Sequence, residues 1–144
     1  MASSRRNQVA GELARHLGAI SVLAVGVVHA QQYYGAYFSA VPTIGTLFLL
    51  SFIASGVTGV VLLAPVRRLG ARVGDAILVA AALGAIAVAL GSLVALLVSE
   101  HETVFGFMES GYRLAIVLTI VFDGLTTAFL GFFLVAMRSE LRTR

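Results

Sequence analysis

The chain contains no cysteine, which excludes disulfides, thiolate metal sites and cysteine nucleophiles. It has no lysine either, so all ten basic residues are arginine. Charge of either sign is scarce: 12% of the 144 residues, where a soluble domain keeps roughly a quarter of its residues charged. With 59% hydrophobic residues and a mean hydropathy of +0.98, the natural solvent for this chain is lipid. The pI near 10.0 does not argue for nucleic acid, which needs a basic patch on a folded face. Nine of the ten Arg fall in short segments between apolar runs and read as topogenic charge.

Motifs of ordinary enzymes are also missing. No Ser-His-Asp arrangement has supporting context, no paired general acid and base sit at a defined spacing, and the fifteen Gly form no phosphate-cradling turn after a strand. His16 and His29 are thirteen residues apart on one helix, a poor arrangement for ligating one haem iron. No catalytic residue is assigned, and the residues specify no cofactor.

What is present is long apolar runs. Crossing ~30 Å of hydrocarbon takes about 20 helical residues, and four runs qualify: 17–33, 43–64, 76–98 and 114–137. None shows the alternation of a barrel strand, so helices are the form that satisfies the backbone in lipid. The two Pro, Pro42 and Pro65, flank the second run, where a missing amide costs little. Short connections predict antiparallel neighbours. The expectation is an all-α, polytopic membrane protein: one domain over 1–144, an up-down-up-down four-helix bundle.

Arginine sets the orientation. Arg5, Arg6 and Arg15, then Arg67, Arg68 and Arg72, then Arg138, Arg142 and Arg144 fall on one side, against Arg113 alone on the other. The positive-inside rule places both termini in the cytoplasm and the chain in the cell's inner (plasma) membrane. A lower-ranked reading takes the first run, ending in Val28-His29-Ala30, as a secretory signal.

Helices in lipid associate through small residues. Three such stripes occur: Ser51, Ser55 and Gly59; Ala80, Gly84, Ala87, Gly91 and Ala95; and Gly124, Ala128 and Gly131. The expectation is that they pack the bundle internally. The alternative makes one of them, on the third run, a homo-oligomer interface.

Three polar clusters remain. Asp123 is the tenth residue of the fourth run, about 14 Å from its outer end, with Thr119, Thr126 and Thr127 on the same face. Upstream, Tyr112 and Glu109 extend the stripe, and Arg113 is spaced to pair with Glu109. A bare carboxylate at that depth costs about 2.5–3.5 kcal/mol, so Asp123 is protonated, paired or hydrated. It serves either as a proton or cation site or as a partner for a hydroxyl such as Ser55, Thr58 or Ser92. At the outer end of the first run, His29, Gln32 and Tyr33 share a face, with Tyr37 beyond. The outer loop adds His101, Glu102 and Glu109. With His29 they would suit a hard or borderline divalent metal, although no recognised ligand spacing occurs.

Two stretches, HAQQYYGAYFSAVPTIGTLFLLSF and ETVFGFMESGYR, together resemble small four-span integral membrane proteins of unknown function from high-GC Gram-positive bacteria. The residues that carry the likeness are His29, Pro42, Gly45, Leu47 and Phe48, then Gly106, Phe107, Glu109, Gly111, Tyr112 and Arg113. The resemblance implies the four-span fold and directs attention to the outer face, with no activity attached.

The reading ranked first is a non-enzymatic bundle that binds a small apolar ligand, or a partner membrane protein, through His29, Gln32, Tyr33, Glu109, Tyr112, Arg113 and Asp123. The second is a small oligomeric proton- or cation-coupled transporter using Asp123. The third is an outer-face metal or redox site built on His29 and His101. The expected partners are the lipid bilayer and a homo-oligomer or accessory membrane protein, with no nucleic acid.

Overall fold

The computed structural model describes residues 2–36, 38–103 and 113–143, with side chains described from residue 6 to residue 139. Glu109, Tyr112 and Tyr37 lie outside the described residues. Four α-helices account for nearly all of the chain described: α1 (Ala2–Gly35), α2 (Pro42–Leu63), α3 (Ala71–Ser99) and α4 (Leu114–Thr143). Each contains a stretch long and apolar enough to cross a membrane, and no strand occurs among the described residues. The protein is an all-α, multi-pass membrane protein.

Helix contacts fix the topology. A methyl built on Gly11 of α1 would meet Ala136 of α4, and one on Gly18 would meet Leu130. As α1 advances, α4 retreats, so the two are antiparallel. The same reasoning applies to α1 and α2, where Gly26 meets Ser55 and Gly59 meets Leu23. Contacts join α1 to α2, α2 to α3, α3 to α4 and α4 back to α1, with the α2–α3 seam the least extensive.

Two helices are longer than their apolar runs. α1 begins fifteen residues before the expected start of the first span at residue 17. α4 continues six residues past the expected end at 137. The two extensions support each other, since Gly11 and Ala14 of α1 are packed where Ala136 and Met137 of α4 are buried. Hydropathy marks where lipid ends, not where helix ends.

The turn between α2 and α3 is specified locally. Val41 is extended and Pro42 occupies the first helical position, and at the other end Ala64 is extended before Pro65. A 3₁₀ turn over Val66–Leu69 leads to Gly70 at φ 111°, a left-handed value that favours glycine. Another short 3₁₀ turn, Phe38–Ala40, joins α1 to α2.

Around the Pro65–Gly70 turn, charge is paired. Glu12 of α1 binds Arg15 at 2.7 Å and Arg67 at 2.5 Å, and Arg67 also binds Asp75 of α3 at 2.8 Å. Arg15 donates to the Leu62 carbonyl at the end of α2, which satisfies one of that helix's open acceptors. Partial burial works against the Arg67 charge, but its bonds to Asp75 and Glu12 outweigh this and hold its pKa above the usual arginine value.

Close to this network lies the apolar core: Ala14, Ala19 and Val22 of α1, Leu62 of α2, Leu78, Ala81, Ala82 and Ala85 of α3, and Leu130, Phe133 and Met137 of α4. The outer surface is itself apolar, with Val60 61% exposed and Val135 69% exposed. A surface of that kind belongs against lipid.

Two expected seams change. On α3 the buried stripe is Ala81, Ala82, Ala85 and Ala89, while Ala80, Ala87, Gly91 and Ala95 are exposed. On α4, Gly124 and Ala128 are exposed, and a methyl built on Gly124 or Gly131 would meet nothing within 4 Å. Apart from Gly84, where a methyl would lie 3.4 Å from Thr58 of α2, these two stripes do not pack the bundle internally. The α2 stripe does, since Ser55 and Gly59 are buried against α1.

Candidate functional site

At the end of the bundle away from the ion network, the helices part around a cavity of about 450 Å³. That volume lies within the ~300–1,000 Å³ of small-molecule sites. Its walls come from every helix. α2 supplies Ile44, Leu47, Phe48 and Ala54, while α3 supplies Ala87, Gly91 and Ala95. Those three α3 residues are the stripe expected to pack internally, and their small side chains instead leave this space open. Leu47, Leu50, Ala87, Gly91 and Ala95 are exposed as well as lining. The cavity is therefore open to its surroundings along the weak α2–α3 seam.

Polar groups are few and placed at particular points on this wall. His29 is buried, and its Nδ1 lies 2.9 Å from the Val25 carbonyl. A carbonyl can only accept, so Nδ1 donates this bond, and Nε2 faces the Ser92 hydroxyl of α3, 3.5 Å away. The ring stands 5.5 Å from that of Phe48, which in turn lies 5.1 Å from Phe38. Gln32, one turn further on, is buried, lines the cavity and donates to the Gln31 side chain. Arg113 stands at the other lip, where its guanidinium lies 6.0 Å from the centre of the Phe38 ring, at the outer limit of a cation–π contact. Thr119 of α4 completes the polar lining on that side.

Asp123 lies behind this wall and is fully buried. Ser92 is the hydroxyl that faces it, but the two do not reach hydrogen-bond geometry. Among the described residues, four buried side-chain oxygens have no hydrogen-bond partner: Ser55 Oγ, both Asp123 carboxyl oxygens and Thr126 Oγ1.

Of the sequence-derived candidates, His29, Gln32 and Arg113 come together around the cavity. Tyr33 is half-buried and stacks edge-on against Tyr34 at 4.8 Å, away from the lining. Glu109 and Tyr112 lie outside the described residues, and with them the proposed Glu109–Arg113 pair. His101 and Glu102 are exposed beyond the end of α3. His101 comes nine residues after Ser92, about 13 Å further along the axis, and its Nδ1 lies against the Leu97 carbonyl. Among the described residues, no group of three or more His, Asp or Glu is gathered closely enough to hold a metal ion.

Sequence reading did not place Ile116 or Ser99 in the lining. Only the amphipathic position of Ile116, one turn before Thr119, was open to detection from the pattern.

No family model, no curated protein and no solved structure matches the chain.

Proposed function

We propose that this protein is a non-enzymatic membrane bundle that takes a small apolar ligand into the cavity bounded by His29, Phe48, Gly91 and Arg113, with both termini cytoplasmic and the cavity at the outer face. One observation carries the reading: an open cavity of about 450 Å³, mostly apolar, with a few polar groups at its rim and floor. That composition is typical of small-molecule sites, where apolar walls supply affinity and a few polar groups set orientation. The lateral opening lets a lipid-soluble molecule enter from the bilayer, and Arg113 at the lip suits an anionic or hydrogen-bond-accepting head group. Orientation rests on the distribution of arginine, and reporter fusions placing either end outside would overturn it.

The test uses Gly91, where an added Cβ meets nothing within 4 Å. Gly91→Leu should fill the cavity without disturbing the backbone. Native mass spectrometry of protein extracted from membranes should find a bound apolar molecule on the wild type and none on Gly91→Leu. Equal occupancy in both would remove the proposal.

A second reading, a small oligomeric transporter coupled to protons or cations through Asp123, is favoured by the unbonded carboxyl at the bundle's centre. Four helices are few for alternating access, so assembly is required. Flux in liposomes that is unchanged by Asp123→Asn would exclude it.

A further inference from the structure

Two of the residues with unbonded oxygens, Ser55 and Asp123, lie close to one level of the bundle, and the third, Thr126, is one turn along α4. Gly18 of α1 faces Leu130 of α4. Seven residues along α1 from Gly18 is Val25, and seven residues back from Leu130 is Asp123, two turns in each antiparallel helix. Asp123 is therefore level with Val25, and the next residue, Gly26, faces Ser55 of α2, whose Cβ a methyl built on Gly26 would meet at 3.2 Å. Ser55 and Asp123 thus differ in height by about one residue's rise of ~1.5 Å. Thr126 follows Asp123 by three residues and shares its face.

Ser55 and Thr126 also differ from several other hydroxyls of these helices. Ser21, Thr46, Thr58, Ser99 and Thr127 each donate to a carbonyl of their own helix, the usual recourse for such residues in an apolar setting. Ser55 and Thr126 do not, although both are fully buried. Orphaned polar atoms in a packed interior point to a water or ion among them. A protonated carboxyl has one hydrogen to donate and would occupy only one of these hydroxyls.

We propose that Asp123, Ser55 and Thr126 form a binding site for a monovalent metal cation, sodium in the first instance, inside the bundle. All the donors are hard oxygens, the type suited to an alkali or alkaline-earth ion. One carboxylate supplies a single negative charge, which a monovalent ion neutralises and a divalent ion would over-compensate. Ser92 stands between this layer and the cavity, and water reaching it from that side completes the coordination. Among titratable side chains, His29 of α1 faces the layer through Ser92, while α2 presents Ser55. The site does not depend on the apolar ligand, nor does it require transport.

The test is thermal unfolding of the purified full-length protein in detergent, followed by circular dichroism, with sodium chloride replaced by choline chloride at constant ionic strength and pH. Sodium should raise Tm in a saturable way, by about 3 °C or more at ten times its Kd. Asp123→Asn should abolish the response. Thr126→Val, which keeps the side chain's shape, should require about ten times more sodium for the same effect. Should Asp123→Asn fail to fold, Thr126→Val and Ser55→Ala carry the test. Equal Tm in sodium and choline for the wild type would overturn the proposal. So would a sodium response that persists in Asp123→Asn or is unaltered in Thr126→Val.

Discussion

Glycine in this bundle serves two opposite purposes, and a single methyl distinguishes them. At Gly45 the Phe38 carbonyl occupies the space a Cβ would need, and at Gly74 the backbone of Arg67 does. Neither obstacle is a side-chain end that can swing away. Gly45→Ala should cost about 1–3 kcal/mol and loosen the turn that holds Phe38 against Phe48. At Gly91 and Gly124 the same methyl meets nothing within 4 Å, and alanine is the better helix former by about 1 kcal/mol. Gly91→Ala and Gly124→Ala should therefore be neutral or stabilising. Melting curves of the four alanine variants would check this, and equal losses at all four positions would contradict it. Sequence alone does not separate these glycines, because what differs is the neighbour across the interface.

At the scale of the helix, much was legible and the reason is simple. Membrane spans are read from hydropathy alone, and all four runs became helices. Asp123 and His29 were legible as anomalies, being polar in apolar stretches, and Ser92 was among the hydroxyls expected near Asp123. The face of α3 was not legible. Alanine and glycine surround that helix, so steps of three or four residues fit Ala80, Gly84 and Ala87 as well as Ala81, Ala85 and Ala89, and only the neighbours decide. Ala85→Leu should thus cost about 1–3 kcal/mol by overpacking, while Ala80→Leu, on the exposed face, should stay within about 0.5 kcal/mol. The opposite order in denaturant unfolding would mean that the assigned face is wrong.

The ion network was also missed at this scale, because a count of arginines for topology ignores Glu12 and Asp75 on the same side. Glu12 binds both Arg15 and Arg67. Glu12 and Arg67 are partly open to solvent while Arg15 is mostly buried, so the shared carboxylate is screened and each pair contributes about 1 kcal/mol or less. Glu12→Gln should lower stability by about 1 kcal/mol in total, with the deficit shrinking as salt is added. A deficit independent of salt would assign the loss to packing of the α1 extension.

For the whole molecule, the decisive feature is that its two ends are built differently. Towards the Pro65–Gly70 turn, all four helices contribute to one core, with Leu62, Leu78 and Leu130 almost wholly buried and the ion network beyond. Towards the other end, α2 and α3 separate around the cavity, and lining residues such as Leu50 remain 56% exposed. Regions with few buried apolar contacts open at lower free energy than the global transition. Amides of residues 44–54 and 88–99 should therefore exchange hydrogen faster than those of 59–62 and 78–85, even though all lie in continuous helix. A ligand in the cavity would restore the missing contacts and slow the first group selectively, whereas sodium at Asp123 would protect residues around Ser55 and Thr126. Hydrogen exchange read by mass spectrometry, with and without each addition, separates the two effects by location. Uniform protection along α2 and α3 before any addition would show that the cavity end is as tightly held as the core, and would count against a site there that admits a ligand from the bilayer.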